Sequence, residues 1–132
     1  MDLPDVPLFA MLRQRMTWLN QRQDILSRNV ANADNPGYVA RDLKPLNFGD
    51  AMRAAVSSGG LTTTQARHIA VVPAASPVFA DEASPDGGPG PNGNAVSLEM
   101  EMIKVSDTQA QFQAATSLYA KAMTMMKTAI GH

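Results

Sequence analysis

Two long apolar stripes at helical heptad spacing, one at each end of the chain, constrain its fold more than any other feature. From Phe9 the positions Leu12, Met16, Leu19, Gln23, Leu26, Val30 and Ala33 recur at alternating steps of three and four. That spacing places them along one seam of a helix, interrupted only by Gln23. At the other end Leu98, Met102, Val105, Gln109, Phe112, Thr116, Tyr119, Met123, Met126 and Ile130 follow the same rule, with Gln109 and Thr116 the polar members. The expected fold class is mainly α: two long terminal helices in coiled-coil-type packing, with a short irregular or β-containing middle segment and a flexible linker.

Start and stop signals agree with the periodicity. Asp5 is placed to cap the first helix, and Pro7 is tolerated in a first turn, where its missing amide hydrogen has no intrahelical partner. Asn35-Pro36-Gly37 ends it: proline disfavours helical geometry at Asn35, and Pro36-Gly37 suits the central positions of a type II turn. A helix over about residues 6–34 follows, roughly 40 Å long at 1.5 Å per residue. For the second helix Asn94 is a suitable N-cap, Glu99 and Glu101 lie near the positive end of the dipole, Lys127 lies near the negative end, and Gly131 closes the segment.

Between the helices the pattern breaks down. Phe48 to Val56 has the makings of a short helix, and Leu61 to Thr64 and Ile69 to Val72 are rich enough in branched residues for short strands, paired as a hairpin. Ser84 to Asn94 is mostly proline and glycine and reads as a linker. The expected organisation is a helix and turn over 1–38, a small middle segment over 39–80, a linker over 81–94 and a helix over 95–132.

Neither long helix is expected to persist alone, because ordering its backbone costs more than burying one seam returns. Pairing them would still leave flanking apolar residues, namely Met11, Trp18, Ile25, Met100, Ile103, Leu118 and Met125, in need of cover. With 5% aromatic residues the chain is short of material to enclose them, and neighbouring subunits are the expected source. Nine methionines, most of them on these helices, suit interfaces that must fit non-identical partners. An ordinary self-contained helical core remains the alternative at this point.

The remaining composition narrows chemistry more than location. A formal net charge of −1 provides no field for nucleic acid or an anionic membrane. Arg13, Arg15, Arg22 and Arg28 are interspersed with aspartate and glutamine and read as a solvated or salt-bridging face. No cysteine is present, and His68 and His132 are the only histidines, so no metal site, cofactor or catalytic group is expected. Gly87-Gly88-Pro89-Gly90 carries a proline where a phosphate-binding loop needs amides. The N-terminal residues do not have the pattern of a cleaved secretory signal, and no run of about 18 apolar residues predicts a membrane span.

The segment Ser27-Arg28-Asn29-Val30-Ala31-Asn32-Ala33-Asp34-Asn35-Pro36-Gly37-Tyr38 resembles the N-terminal signature of bacterial flagellar rod and hook proteins. Its continuation Val39-Ala40-Arg41-Asp42-Leu43 is similar to the FlgB-type proximal-rod branch of that family. So are Thr63-Thr64-Gln65-Ala66-Arg67-His68-Ile69, Asn94 to Met102, and Met126-Lys127-Thr128-Ala129-Ile130-Gly131. Asn35, Thr108 and Phe112 depart from the residues common there. The resemblance implies a structural, non-enzymatic subunit of the periplasmic proximal rod, required for motility and exported by the flagellar type III apparatus without a cleaved signal peptide. The implied partners are other rod proteins, the membrane-ring protein and its rod adaptor, and the export apparatus, in a homo- and hetero-oligomeric assembly. A soluble helical adaptor or chaperone-like binding module is the alternative function.

Three sets of residues are candidates for these roles. Leu12, Met16, Leu19, Gln23, Leu26, Val30, Leu98, Met102, Val105, Gln109, Phe112, Tyr119, Met123, Met126 and Ile130 are expected at subunit interfaces, with Gln23 and Gln109 either setting register or facing solvent where the seam drifts. Asn29, Asn32, Pro36, Gly37 and Tyr38 form the motif turn, whose amides are suited to hydrogen-bonding across helices where the chain leaves the bundle. Phe48 and Met52, an aromatic followed four residues later by an apolar residue, resemble an export-recognition motif.

Overall fold

The computed structural model describes residues 7–47, 49, 79–87 and 93–131. Helix α1 spans Pro7–Ala31, strand β1 Arg41–Leu43, strand β2 Asp81–Ala83 and helix α2 Leu98–Ile130. The chain is therefore mainly helical, with two helices flanking a short two-stranded antiparallel sheet. The expected short helix from Phe48 and the hairpin over residues 61–72 lie outside the described residues, as does Asp5; of that short helix only Gly49 is described.

The helices pair within one chain as an antiparallel hairpin, their contact running from the Phe9 and Tyr119 rings, edge to face at 5.3 Å, to Asn29 and Glu101. Helix α1 faces α2 with Phe9, Leu12, Leu19 and Leu26, all buried. On α2 the inward positions are Glu101, Val105, Thr108, Phe112, Ala115, Tyr119, Ala122 and Met126, each buried or half-buried. Their steps of four and three are a heptad seam that keeps the expected Val105, Phe112, Tyr119 and Met126 line. The companion line sits one residue earlier than the pattern predicts. Glu101, Thr108, Ala115 and Ala122 take the interior, while Leu98, Met102, Gln109, Thr116 and Ile130 are exposed and Met123 is half-buried. Small residues at Thr108, Ala115 and Ala122 leave room for the bulkier Leu19, Trp18 and Phe9 opposite, so fit between the helices overrides apolar character alone.

Helix α2 starts at Ser97 rather than at Asn94. The Ser97 hydroxyl accepts from the Met100 amide at 3.4 Å, which is the usual N-cap geometry. Asn94 is instead used between the ends of the hairpin: its amide group donates to the Ala33 carbonyl and its Oδ1 accepts from the Val96 amide at 3.2 Å. Helix α1 ends in the turn that its sequence predicts. The Tyr38 amide donates to the Asn35 carbonyl at 3.2 Å across Pro36-Gly37, and Gly37 has φ +78°.

Beyond that turn the chain folds back along α1. Arg41, Asp42 and Leu43 pair with Ala83, Glu82 and Asp81, so part of the segment expected as linker is a strand. Asp42 grips Arg22 of α1 through both carboxylate oxygens, at 2.9 and 3.0 Å. The Gln21 carboxamide accepts from the Phe79 amide at 3.0 Å. These two tethers lay Leu43, Leu46 and Phe79 over Trp18, forming a second small core with Leu19 and Ala115. Trp18 is only 6% exposed, and its indole N–H donates to the Lys44 carbonyl at 3.0 Å.

Candidate assembly surfaces and a buried polar junction

Where α1 ends and α2 begins, the interior is polar. Asn29, fully buried, uses its whole hydrogen-bonding capacity. Its Nδ2 donates to the Arg41 carbonyl at 2.7 Å and to Glu101 Oε2 at 2.9 Å. Its Oδ1 accepts from the Tyr38 hydroxyl at 3.0 Å and the Arg41 amide at 3.1 Å. One side chain thus joins α1, the motif turn, β1 and α2. Asn32, one turn later, closes the helix end by donating to the Arg28 carbonyl at 2.7 Å.

Charge at the junction is matched as well as hydrogen-bonded. Lys104 Nζ donates to Glu101 Oε1 at 3.0 Å and to Asp86 Oδ1 at 2.6 Å, and Asp86 Oδ2 accepts from the Ser97 amide at 3.1 Å. Burial, followed by the hydrogen bond with Asp86, raises the Glu101 carboxyl above its ordinary value, against the pull of Asn29 and Lys104. Burial acts on Asp86 in the same sense, but hydrogen bonds from Glu101, Lys104 and the Ser97 backbone outweigh it and hold that carboxyl low. Lys104 loses solvation too, yet Asp86 and Glu101 hold its ammonium above the usual lysine range. The pair of carboxyls is thereby split into one that keeps its proton longer and one that gives it up sooner.

The expected interface residues fall into two groups. Leu12, Leu19 and Leu26 are buried in the hairpin, and Met16, Gln23, Val30, Val105, Phe112, Tyr119, Met123 and Met126 are half-buried. Leu98, Met102, Gln109 and Ile130 are on the surface. The flanking residues Met100, Ile103, Leu118 and Met125 fall on one side of α2 and give it an exposed apolar flank, Ile103 reaching 68% exposure and Met125 56%, while Leu98, Met102 and Ile130 are exposed on the other side of the seam. Of the flanking residues expected to lack cover, Trp18 is buried, and Met11 and Ile25 are half-buried. Phe48 and Met52 lie outside the described residues. Of the arginines considered as a basic face, Arg15 donates to Gln111 Oε1 at 2.7 Å and Arg22 binds Asp42, while both guanidinium groups stack on Trp18 at 4.9 and 5.5 Å.

Sequence reasoning missed both Glu101, which read only as a complement to the helix dipole, and Lys104, which carried no reading at all. A usable signal exists: Glu101, Thr108, Ala115 and Ala122 repeat every seven residues, a polar and small-residue line parallel to the apolar one.

Among the described residues no helix is long and apolar enough to cross a membrane, and the helical hairpin carries the exposed apolar flank of a structural protein. No protein-family profile matches the chain. It is 32% identical to a flagellar basal body rod protein FlgB of Cereibacter sphaeroides over 89% of this chain and 88% of that protein. It is 32% identical to FlgB of Escherichia coli, covering 83% and 85% of the two chains, and 33% identical to FlgB of Salmonella typhimurium, covering 80% and 82%. The chain belongs to the FlgB family of flagellar basal body rod proteins.

Proposed function

We propose that this protein is a structural subunit of the proximal rod of the flagellar basal body, assembling by helix packing with other rod subunits and required for motility. The observation that carries the reading is the flank of α2, where Met100, Ile103, Leu118 and Met125 stand exposed along one side of the helix, away from the seam it shares with α1. A neighbour's helix laid along this flank would bury it, and a heterologous contact of that kind builds a helical shaft when it does not close on itself. The proposed setting is the periplasm, reached through the type III export apparatus without signal cleavage. The neighbours would be rod proteins above and beside, with the membrane-ring protein and its rod adaptor below. Phe48 and Met52 are proposed as the export-recognition pair; secretion of a Phe48→Ala, Met52→Ala variant at the parental level would remove that role.

Deletion of the gene, complementation in trans and a swimming assay test the rod assignment. Loss of swimming in the deletion strain, restored by the parental gene, is the expected result. Normal swimming after deletion would overturn it.

A further inference from the structure

A second cleft, distinct from the bare flank, opens between the helices about halfway along the hairpin. Leu19 and Phe112 line it together with the carboxamides of Asn20, Gln23, Gln109 and Gln113, and it is an open groove of about 360 Å³. Gln23 Oε1 is buried there with no hydrogen-bond partner among the described residues. The neighbouring hydroxyl of Thr108 cannot serve it, because its proton is already given to the Lys104 carbonyl at 2.7 Å. None of the four carboxamides donates or accepts a side-chain hydrogen bond among the described residues.

The contrast with Asn29, on the same helix, is chemical. Asn29 has all its donors and acceptors satisfied by the chain itself, whereas Gln23 is half-buried with its Oε1 shut away from solvent and unmet, a condition that costs stability unless something arrives to meet it. The occupant must supply a donor to Gln23 Oε1 and an acceptor to the surrounding amide N–H groups, and must lay an aliphatic stem on Leu19 and Phe112. No charged residue lines the cleft, so an ion entering it would lose water without a counter-charge. A neutral carboxamide side chain meets each requirement, since it donates and accepts through one planar group.

We infer that this cleft receives a single asparagine or glutamine side chain projecting from a helix of a neighbouring rod subunit, with Gln23 as the acceptor that positions it. The inference rests on the rod assignment and specifies one contact within it. It makes Gln23 a residue that weakens the isolated chain and strengthens the assembled one.

Two measurements on the full chain test this. Gln23→Met keeps the length and removes the unmet acceptor. The expected result is a melting temperature about 3–5 °C higher for the isolated protein, with incorporation into basal bodies and swimming reduced at least several-fold. A melting temperature that falls would show the carboxamide is satisfied within the chain, and unchanged incorporation would show that the cleft holds only water; either overturns the inference.

For the second, the chain has no cysteine, so Gln113→Cys, labelled with a benzophenone maleimide, places one photoreactive group at the rim. Irradiated basal bodies purified from the complemented strain should give an adduct to a helical peptide of another subunit, within one turn of an asparagine or glutamine. Adducts confined to the same chain, or to peptides without such a residue, overturn the inference. Absence of the unlabelled, parental protein from purified basal bodies would instead overturn the rod assignment, which separates the two failures.

Discussion

The two helices carry similar apolar stripes and meet different fates. Helix α1 is covered on two sides: α2 lies on Phe9, Leu12, Leu19 and Leu26, while Leu43, Leu46 and Phe79 lie on Trp18 and Ile25. Helix α2 is covered on one side, and Ile103, Leu118 and Met125 on its other side remain more than half exposed. The same heptad spacing therefore does not mean the same use. The sheet strap is tethered to α1 by the Arg22–Asp42 ion pair and the Gln21–Phe79 hydrogen bond, so among the described residues the covering material outside the helices goes to the first helix.

The sharpest way to break the comparison is to strip α1 of its second cover. Trp18→Ala removes the side chain that the strap encloses and leaves the Lys44 carbonyl without its donor; a loss of about 3–5 kcal/mol in urea unfolding is expected. Next in size is Asn29→Ala, which unties the junction joining both helices and should cost roughly 1–3 kcal/mol, chiefly because the buried Glu101 carboxylate loses a donor, read by the same unfolding curve. Gly37→Ala forces an L side chain into φ +78° with a penalty of about 1–2 kcal/mol.

The smallest effect should fall on α2. Leu118→Ala and Ile103→Asp are expected to change the stability of the isolated chain by less than about 0.5 kcal/mol, while Ile103→Asp abolishes rod incorporation and swimming. If Ile103→Asp destabilises the isolated chain as much as Trp18→Ala does, the two flanks are not different in kind.

Acidity probes the junction where the two helices share a site. Glu101 binds its proton more tightly in the folded chain, so stability falls as pH rises from the ordinary carboxylate value through the raised one. Asp86 has the opposite sign: its contribution is present above the ordinary carboxylate value and is lost as pH falls through the lowered one. Lys104 contributes fully below the ordinary lysine value and loses that contribution as pH rises through its raised one. Unfolding curves across pH should show these slopes, and Glu101→Gln, which can still donate to Asp86, should remove the first, spare the second and shrink the third, because Glu101 is one of the two carboxyls that hold Lys104 high.

Much of this was legible in the residues. The heptad spacing marked both helices, and Asn35-Pro36-Gly37-Tyr38 marked the end of the first, within three residues of where it falls. Trp18 read as an exposed flanking residue because its cover comes from Leu43 and Phe79, and Phe79 is far away in sequence. Asn94 read as a cap because it is a good one in isolation; the Ala33 carbonyl, 61 residues earlier, claims its side chain instead.

Periodicity, capping and turn chemistry act over a few residues, so the sequence by itself determined that two long helices form and how the first one stops. Rotation of α2 about its axis is a different matter, because moving the seam by one position turns the helix by about 100° without changing any local preference. That choice was decided by tertiary structure: Leu19 and Trp18 need small residues opposite, and Asn29 needs Glu101, a partner 72 positions along the chain. Contacts at that separation choose between two lines that both repeat every seven residues, and they decide which face of α2 is spent inside the molecule.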